Sequence, residues 1–391
     1  MLLIKRNIRD TKNTIQKGEE RTMKKAMGLL AAGIAAVGMM AGAAMADEAK
    51  TDGFVIGFSN GYWGNTWRAQ LVEDFEKRCE EYKEEGIIAD YMVANTQSDA
   101  TEQLNQINAM IDAGVDALII DPASPTAMTS AVQKALSQGI LVVIGSDPAA
   151  YEGTYCVCGN DYSYEILAKW LCEKLGGEGN IVSITGEPGV GTDIIRQETE
   201  EAIVAQYPGI TELASVPGRW SQTESQAVMT TLLSSYDNID GVLIQDVMAE
   251  GVLKAFENAG QEPCLMTGDY VKSFLNKWAE MDNFETITIP YACGFICTTL
   301  DVTVGLLQGK ELDESKLVAN PYDENLVNTI MVDPPYCVTL EGEQDAPWLE
   351  GYENTKAITL DEALELMEGQ ADTASLDGYM DRETVLSTYF K

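Results

Sequence analysis

The sequence predicts an α/β protein made of two similar doubly wound parallel-sheet lobes. Three observations carry that expectation. Short, almost continuous apolar runs alternate with amphipathic segments, the pattern of parallel strands covered by helices on both faces. The rhythm runs to about residue 144 and starts again near residue 181. With 391 residues, 45% of them hydrophobic, the chain is long enough for two domains with sizeable cores.

The first series opens with a buried strand over 54–58 and a helix over 66–85. A strand over 87–93 and a helix over 99–113 follow, the helix placing Leu104, Ile107 and Ile111 on one face. The next strand, 117–120, is stopped at Asp121-Pro122, and a helix over 125–138 leads to a strand over 140–144. The second series alternates strands at 181–184, 213–216, 241–244, 265–266 and 287–289 with helices at 191–206, 221–235, 248–259, 270–280 and 291–308. Val252, Leu253 and Phe256 mark the buried face of the 248–259 helix. Residues 312–391 are less regular, with Pro321 and Pro334-Pro335. They read as a strand returning between the lobes and a packed extension, with a helix over 359–367 whose Thr-Leu-Asp-Glu start suits an N-terminus. The expected first lobe is therefore 47–159 plus about 291–325, and the second lobe with its extension is 160–290 plus about 326–391.

Residues 23–46 have the form of a cleavable secretory signal peptide, which predicts a periplasmic or extracellular protein. Lys24 and Lys25 form a basic start, Leu29 to Met40 an apolar stretch, and Ala44-Met45-Ala46 a small-x-small cleavage site. Residues 1–22 are foreign to that pattern and read as a non-native extension, with translation starting at Met23. Lys17-Gly18-Glu19-Glu20 is encodable by a purine run resembling a ribosome-binding site. Removing residues 1–46 takes away 8 Lys/Arg and 3 Asp/Glu, so the charge moves from −36 to −41 (18 against 59) over the remaining 345 residues.

Composition excludes several functions. There is no histidine, hence no Ser-His-Asp or Cys-His relay, no HExxH zinc helix and no imidazole base. The large acidic excess argues against capture of nucleic acid or anionic lipid, which need clustered Lys/Arg. The eight cysteines form no CxxC pair and read as buried thiols of a core too large to need disulfides, although an even count in an exported chain allows them. Gly186-Glu187-Pro188-Gly189-Val190-Gly191-Thr192 lacks the Lys-Ser/Thr of a phosphate loop and reads as a turn approaching a ligand. No calcium-loop spacing is present, and the many carboxylates read as solvated surface rather than a metal or catalytic pair. Neither a metal nor a cofactor is expected.

Doubly wound sheets bind ligands at the carboxyl ends of their strands. Ser59-Asn60, Asp121, Ser146-Asp147, Gly186-Glu187, Asp246 and Asp269 all follow apolar runs. Trp63 and Trp67 lie in the glycine-rich loop after the first strand, and Trp220 follows Pro217-Gly218-Arg219. Tryptophans in such loops offer flat faces to a sugar ring, while Asp, Asn and Arg supply hydrogen bonds to its hydroxyls.

Asn95 to Pro122 reads Asn-Thr-Gln-Ser-Asp-Ala-x-x-Gln-Leu-x-Gln-Ile-x-x-x-Ile-x-x-Gly-Val-Asp-Ala-Leu-Ile-Ile-x-Pro. With Gly159-Asn160-Asp161, Arg196-x-x-Thr199-Glu200 and Asp240-Gly241-Val242, it resembles the ribose-type periplasmic sugar-binding proteins over roughly residues 54–310. The resemblance implies a type I periplasmic binding protein, a monomeric receptor of an ABC importer. Its two lobes would be joined by three crossings, with the ligand held in the cleft between them, and its partner would be a membrane permease. Carried over by position, Asn65, Trp67 and Arg68 match first-loop contacts, Arg196 a hydroxyl-binding arginine and Trp220 an aromatic wall. Gln245 takes the place of a ligand-binding asparagine beside Asp246, and Asp269 matches a ligand-binding aspartate; Asp147 and Asn160 complete the expected set. Related repressors carry a DNA-binding element where this chain has its signal sequence.

Three departures point away from ribose. Ser146-Asp147-Pro148 stands where ribose receptors have Asp-Arg, Arg68 replaces a second aromatic ring, and Thr288 stands where glutamine is common. A monosaccharide, a polyol or a sugar acid fits, the last gripped by Arg68 and Arg196 together. A sensory receptor with the same cleft is the alternative, and an exported hydrolase using paired carboxylates a lesser one; no enzymatic activity is expected. The signal-sequence assignment predicts that the exported protein begins at Asp47, which intact mass and N-terminal peptide mapping will check. Recovery of peptides from residues 1–22 in expressing cells would contradict the start at Met23.

Overall fold

The computed structural model describes residues 52–160, 162–352 and 355–391. The expected signal peptide, the extension before it and Asp161 lie outside those residues. The first lobe is built on β1 (Phe54–Asn60), β2 (Ile88–Asn95), β3 (Ala117–Asp121), β4 (Leu141–Ser146) and β5 (Tyr155–Gly159), all parallel. Helices α1 (Thr66–Glu84), α2 (Ala100–Ala113) and α3 (Thr129–Ser137) connect the first four strands. After α4 (Tyr162–Lys174), the second lobe repeats the plan. It has β6 (Glu178–Thr185), β7 (Gly209–Pro217), β8 (Gly241–Ile244), β9 (Leu265–Thr267) and β10 (Thr286–Ile287), with α5 (Gly191–Val204), α6 (Gln222–Ser235), α7 (Ala249–Ala259) and α8 (Lys272–Ala279). Both sheets carry the same order: β5-β4-β3-β1-β2 in one and β10-β9-β8-β6-β7 in the other. Each therefore reverses direction beside its first strand, the switch point at which doubly wound sheets leave a crevice.

Local chemistry explains the helix ends. Asn65, Asp99 and Ser221 accept hydrogen bonds from backbone amides in the first turns of α1, α2 and α6, and glycines 114 and 260 close α2 and α7 in the left-handed conformation. Four passages link the lobes, one more than the three crossings expected, because the chain returns to the first lobe after its extension on the second. The first runs through Asn160 from β5 to α4, and the second leaves β10 through Pro290 and Tyr291 to α9 (Phe295–Leu307), which packs behind the first sheet. The next two strands, β11 (Val318–Asn320) and β12 (Asp323–Val332), extend the first sheet, β12 parallel to β5 and β11 antiparallel to β12. The third passage, at 333–335, leads to the parallel pair β13 (Tyr336–Thr339) and β14 (Lys356–Thr359) on the second lobe. α10 (Leu360–Leu366) follows, started by the expected capping box between Thr359 and Glu362. A fourth passage then returns the chain to the first lobe, where α11 (Arg382–Tyr389) packs on α9.

Several segments differ from the sequence expectation. β5 and α4 have no counterpart in it. The residues of α4 are buried on nearly every side, so no polar stripe marks the helical period. α9 begins at Phe295 rather than at 291, because residues 290–294 form the crossing. β12 and α11 place 326–332 and 382–389 on the first lobe rather than the second, since strand pairing and helix packing, not chain order, decide membership. None of the eight cysteines forms a disulfide, and all but Cys264 are buried.

α9 is buried from Phe295 to Gly305, yet carries Asp301 at its centre. Asp301 accepts from the Arg78 guanidinium of α1 at 2.6 Å and from the Tyr82 hydroxyl at 2.9 Å, which is the pairing a buried charge requires. Asp301→Ala leaves Arg78, among the described residues, with only the half-exposed Glu81 at 2.9 Å as an ion-pair partner. It is therefore expected to lower unfolding stability by about 3 kcal/mol, at the low end for breaking a buried pair. Urea denaturation measures that loss; a change below about 1 kcal/mol would contradict the account.

Candidate ligand-binding site

The two switch points face one another, and a cavity with about 350 Å³ of space free of protein atoms lies between them. The first lobe contributes Tyr62, Asn65, Trp67 and Arg68 after β1, and Ser146 and Asp147 after β4. The second contributes Thr192 and Arg196 of α5, Trp220 after β7, and Asp246 and Val247 after β8, while Tyr291 enters from the crossing.

Arg68 is the centre of the first-lobe half. One of its terminal nitrogens donates to Asp121 and, at 3.1 Å, to the Ser146 hydroxyl; the other reaches Asp147 at 3.3 Å. Asp121 also accepts from the Asp147 amide at 3.0 Å. Burial works against charge on Arg68, but the Asp121 and Asp147 carboxylates outweigh it and hold its pKa above the ordinary value. The guanidinium lies 4.9 Å from the centre of the Trp67 ring. Trp67 in turn donates its indole N–H to the Tyr291 carbonyl at 2.6 Å.

Arg196 plays the matching part in the second half. It donates to Asp246 and is sandwiched between the rings of Tyr164 at 4.5 Å and Tyr291 at 4.8 Å. The Tyr164 hydroxyl donates to the other oxygen of Asp246 at 2.9 Å and accepts from the Asp246 amide at 3.1 Å. Two glycines make room for the aromatic walls: a Cβ at Gly159 would overlap the Tyr291 ring, and one at Gly186 the Trp220 ring. Ser146, Arg219, Trp220 and Val247 all adopt positive φ, between 49° and 74°. Such backbone is costly for non-glycine residues and persists where the surroundings impose it, commonly at functional sites.

Three buried polar atoms of the lining make no hydrogen bond among the described residues: Arg68 Nε, Thr192 Oγ1 and Trp220 Nε1. Leaving such groups unpaired costs about 1–3 kcal/mol each. Arg68 lies against the Trp67 ring and Trp220 meets the Tyr62 ring edge-on, so polar groups and flat apolar surface line the same cavity.

Of the ten residues expected from sequence, seven line the cavity: Asn65, Trp67, Arg68, Asp147, Arg196, Trp220 and Asp246. Asn65 also caps α1, its Oδ1 accepting from the Arg68 amide at 2.8 Å. The other three lie outside the lining. Asn160 sits in the first crossing, bonded to Asp333 at 2.8 Å. Gln245 is buried beside Asp193, and Asp269 is buried with one oxygen accepting from the Tyr270 and Val271 amides at 2.7 and 3.2 Å. Tyr62, Thr192, Val247 and Tyr291 line the cavity without having been expected from sequence. Trp63 is the more conspicuous residue in the first loop, but it is 41% exposed while its neighbour Tyr62 points inward. No group of three or more Cys, Asp or Glu able to hold a metal occurs among the described residues.

Residues 56–311 match the family model of the periplasmic binding protein domain, and the chain belongs to that family. Its fold is that of the type I periplasmic binding proteins. The chain is 30% identical over 239 residues to a xylitol-binding protein of Mycolicibacterium smegmatis, covering 58% of this chain and 66%, just under two thirds, of that one. It is 28% identical over 267 residues to a ribose import binding protein of Bacillus subtilis, covering 67% of this chain and 84% of the relative. An ABC transporter solute-binding protein from Thermobispora bispora superposes with a TM-score of 0.65 at 26% identity, over 81% of this chain and 95% of that one. One from Bacillus halodurans, solved with bound myo-inositol, superposes with a TM-score of 0.62 at 22% identity, over 78% and 99%.

Two carboxyls near the cavity link the site to pH. Burial pushes Asp193 up to about 6, and burial together with Asp246 pushes Asp269 up to about 7. Between pH of about 4 and 7 the native protein therefore holds protons that the unfolded chain has released, so stability falls as pH rises through that window. Asp269→Asn keeps an oxygen for the two amides and removes the titration. Acidifying from pH of about 7 to 5 is expected to raise the melting temperature of the wild type, and Asp269→Asn to flatten that rise. An unchanged slope would contradict the assignment.

Proposed function

We propose that the protein is the extracytoplasmic receptor of an ABC importer, and that it holds a monosaccharide or polyol in the cleft between its lobes. The observation that carries this is the set of buried, unpartnered donors and acceptors on Arg68, Thr192 and Trp220 beside aromatic faces. A ring or chain bearing several hydroxyls satisfies them while covering the rings. Relatives named for ribose and xylitol binding support the same class. Arg68 and Arg196 are each already paired with carboxylates. A sugar acid would bring a further anion beside Asp147 and Asp246, so an uncharged ligand is favoured over it. The same pairing argues against proton transfer by these two carboxylates, and with it against a hydrolase.

Binding makes and breaks no covalent bond, and it shifts the lobes toward closure only through contacts made in the closed form. A membrane permease recognising that form is the proposed partner. The test is a thermal-shift panel of neutral pentoses, hexoses, inositols and alditols beside their acid counterparts. A neutral ligand at about 100 times its Kd is expected to add about 2.7 kcal/mol of stability. No response to any neutral compound, or a response confined to acids, would overturn the proposal. Trp220→Phe keeps the aromatic wall but removes the Nε1 donor, and is expected to weaken binding about 5- to 10-fold.

A further inference from the structure

Two tyrosine hydroxyls cross the cleft without reference to any ligand. Tyr62, in the loop after β1 of the first lobe, donates to the carbonyl of Arg219 in the second at 3.3 Å. Its ring also meets that of Trp220 edge-on, with centroids 5.8 Å apart. Arg219 and Trp220 are both in left-handed backbone, with φ of 57° and 50°, and the Gly218 and Arg219 amides both donate to the Thr185 carbonyl. The loop offering the acceptor is thus held in place from within its own lobe.

Tyr322 lies between β11 and β12 of the first lobe and donates to the carbonyl of Gly191, the first residue of α5 in the second, at 2.7 Å. Asn320 fixes this hairpin to its own lobe by donating to the Ala149 carbonyl at 3.1 Å. The approach depends on glycine: a Cβ at Gly191 would stand 3.0 Å from both the Tyr322 hydroxyl and the Pro148 carbonyl of the first lobe. Gly191 has no positive φ, so its lack of a side chain serves proximity rather than backbone freedom. Tyr322 is not part of the cavity lining.

We infer that Tyr62 and Tyr322 are closure residues, clasps by which the first lobe grips backbone carbonyls of the second and which set how much of the protein is closed before ligand arrives. This rests on the receptor reading for its purpose but not for its measurement. Each hydrogen bond shifts the closed-to-open ratio by about 2- to 10-fold. Because a ligand binds a pre-existing closed form in proportion to its population, losing a clasp outside the lining weakens all ligands by one common factor. Lining residues, by contrast, change the ratios between ligands.

The experiment is small-angle X-ray scattering on the ligand-free wild type, Tyr322→Phe, Gly191→Ala and their double variant. Affinities for every neutral compound that binds the wild type are measured in parallel. Both single variants are expected to increase the radius of gyration. The double variant is expected to do so by less than the combined effect, since both changes break one contact. Affinities fall about 2- to 10-fold by the same factor for each ligand. Tyr62→Phe, read by scattering alone because Tyr62 lines the cavity, is expected to open the protein in the same way. Scattering from folded Tyr322→Phe and Gly191→Ala that matches the wild type would overturn the inference, as would ligand ratios that change with either substitution. Should one variant fail to fold, the other decides. If scattering responds but no sugar or polyol binds the wild type, the clasps stand and the sugar-receptor proposal falls.

Discussion

Two guanidinium groups buried between facing strand ends constrain everything else in this site. A charge taken out of water must be paired and its donors filled. Arg68 meets Asp121 at the end of β3 and Asp147 just past β4, while Arg196 meets Asp246 just past β8. The ends of three strands therefore have fixed partners, and the arginines in turn have fixed directions. Tyr164 and Tyr291 clamp the plane of Arg196, and Trp67 lies against Arg68. Donors held this rigidly lose little freedom when a ligand arrives, which favours selection by geometry over selection by charge.

The backbone shows the same economy. Ser146, Trp220 and Val247 leave their strands in left-handed conformations that β-branched and aromatic residues avoid. All three line the cavity. The glycines act in the complementary way, Gly159 and Gly186 leaving flat floors against which Tyr291 and Trp220 lie.

Much of this was legible in the sequence, for a physical reason. Strands covered on both faces must be apolar throughout, so β1, β3, β4, β6 and β8 announce themselves, and the residues after them mark the crevice. β5 and α4 escaped because Tyr-Cys-Val-Cys-Gly is short and α4 is apolar nearly all round. Strand-end position also says little about depth. Asp269 stands after β9 as expected, yet its carboxylate serves the backbone of the next turn, and Gln245 lies behind the wall rather than on it. Tyr291 was hidden for the opposite reason: it resembles the first residue of a helix, whereas the chain needs residues 290–294 to cross between lobes before α9 can begin. Thr192 sat in plain view within a glycine-rich turn whose glycines drew attention to the backbone.

The path of the chain through the first lobe bears on how the molecule is made. That lobe begins with β1 but is completed by α9, β12 and α11, and its last bonds tie the Asp313 amide to the Tyr389 carbonyl and the Lys391 amide to the Glu311 carbonyl. A ribosome releases these pieces after the rest of that lobe. Until then the first sheet lacks the strand beside β5 and the helix pair behind it, leaving apolar surface without cover. Contacts so distant along the chain form slowly, because loop closure must precede them. The early-made strands of this lobe therefore stay without part of their cover until α9, β12 and α11 have been synthesised.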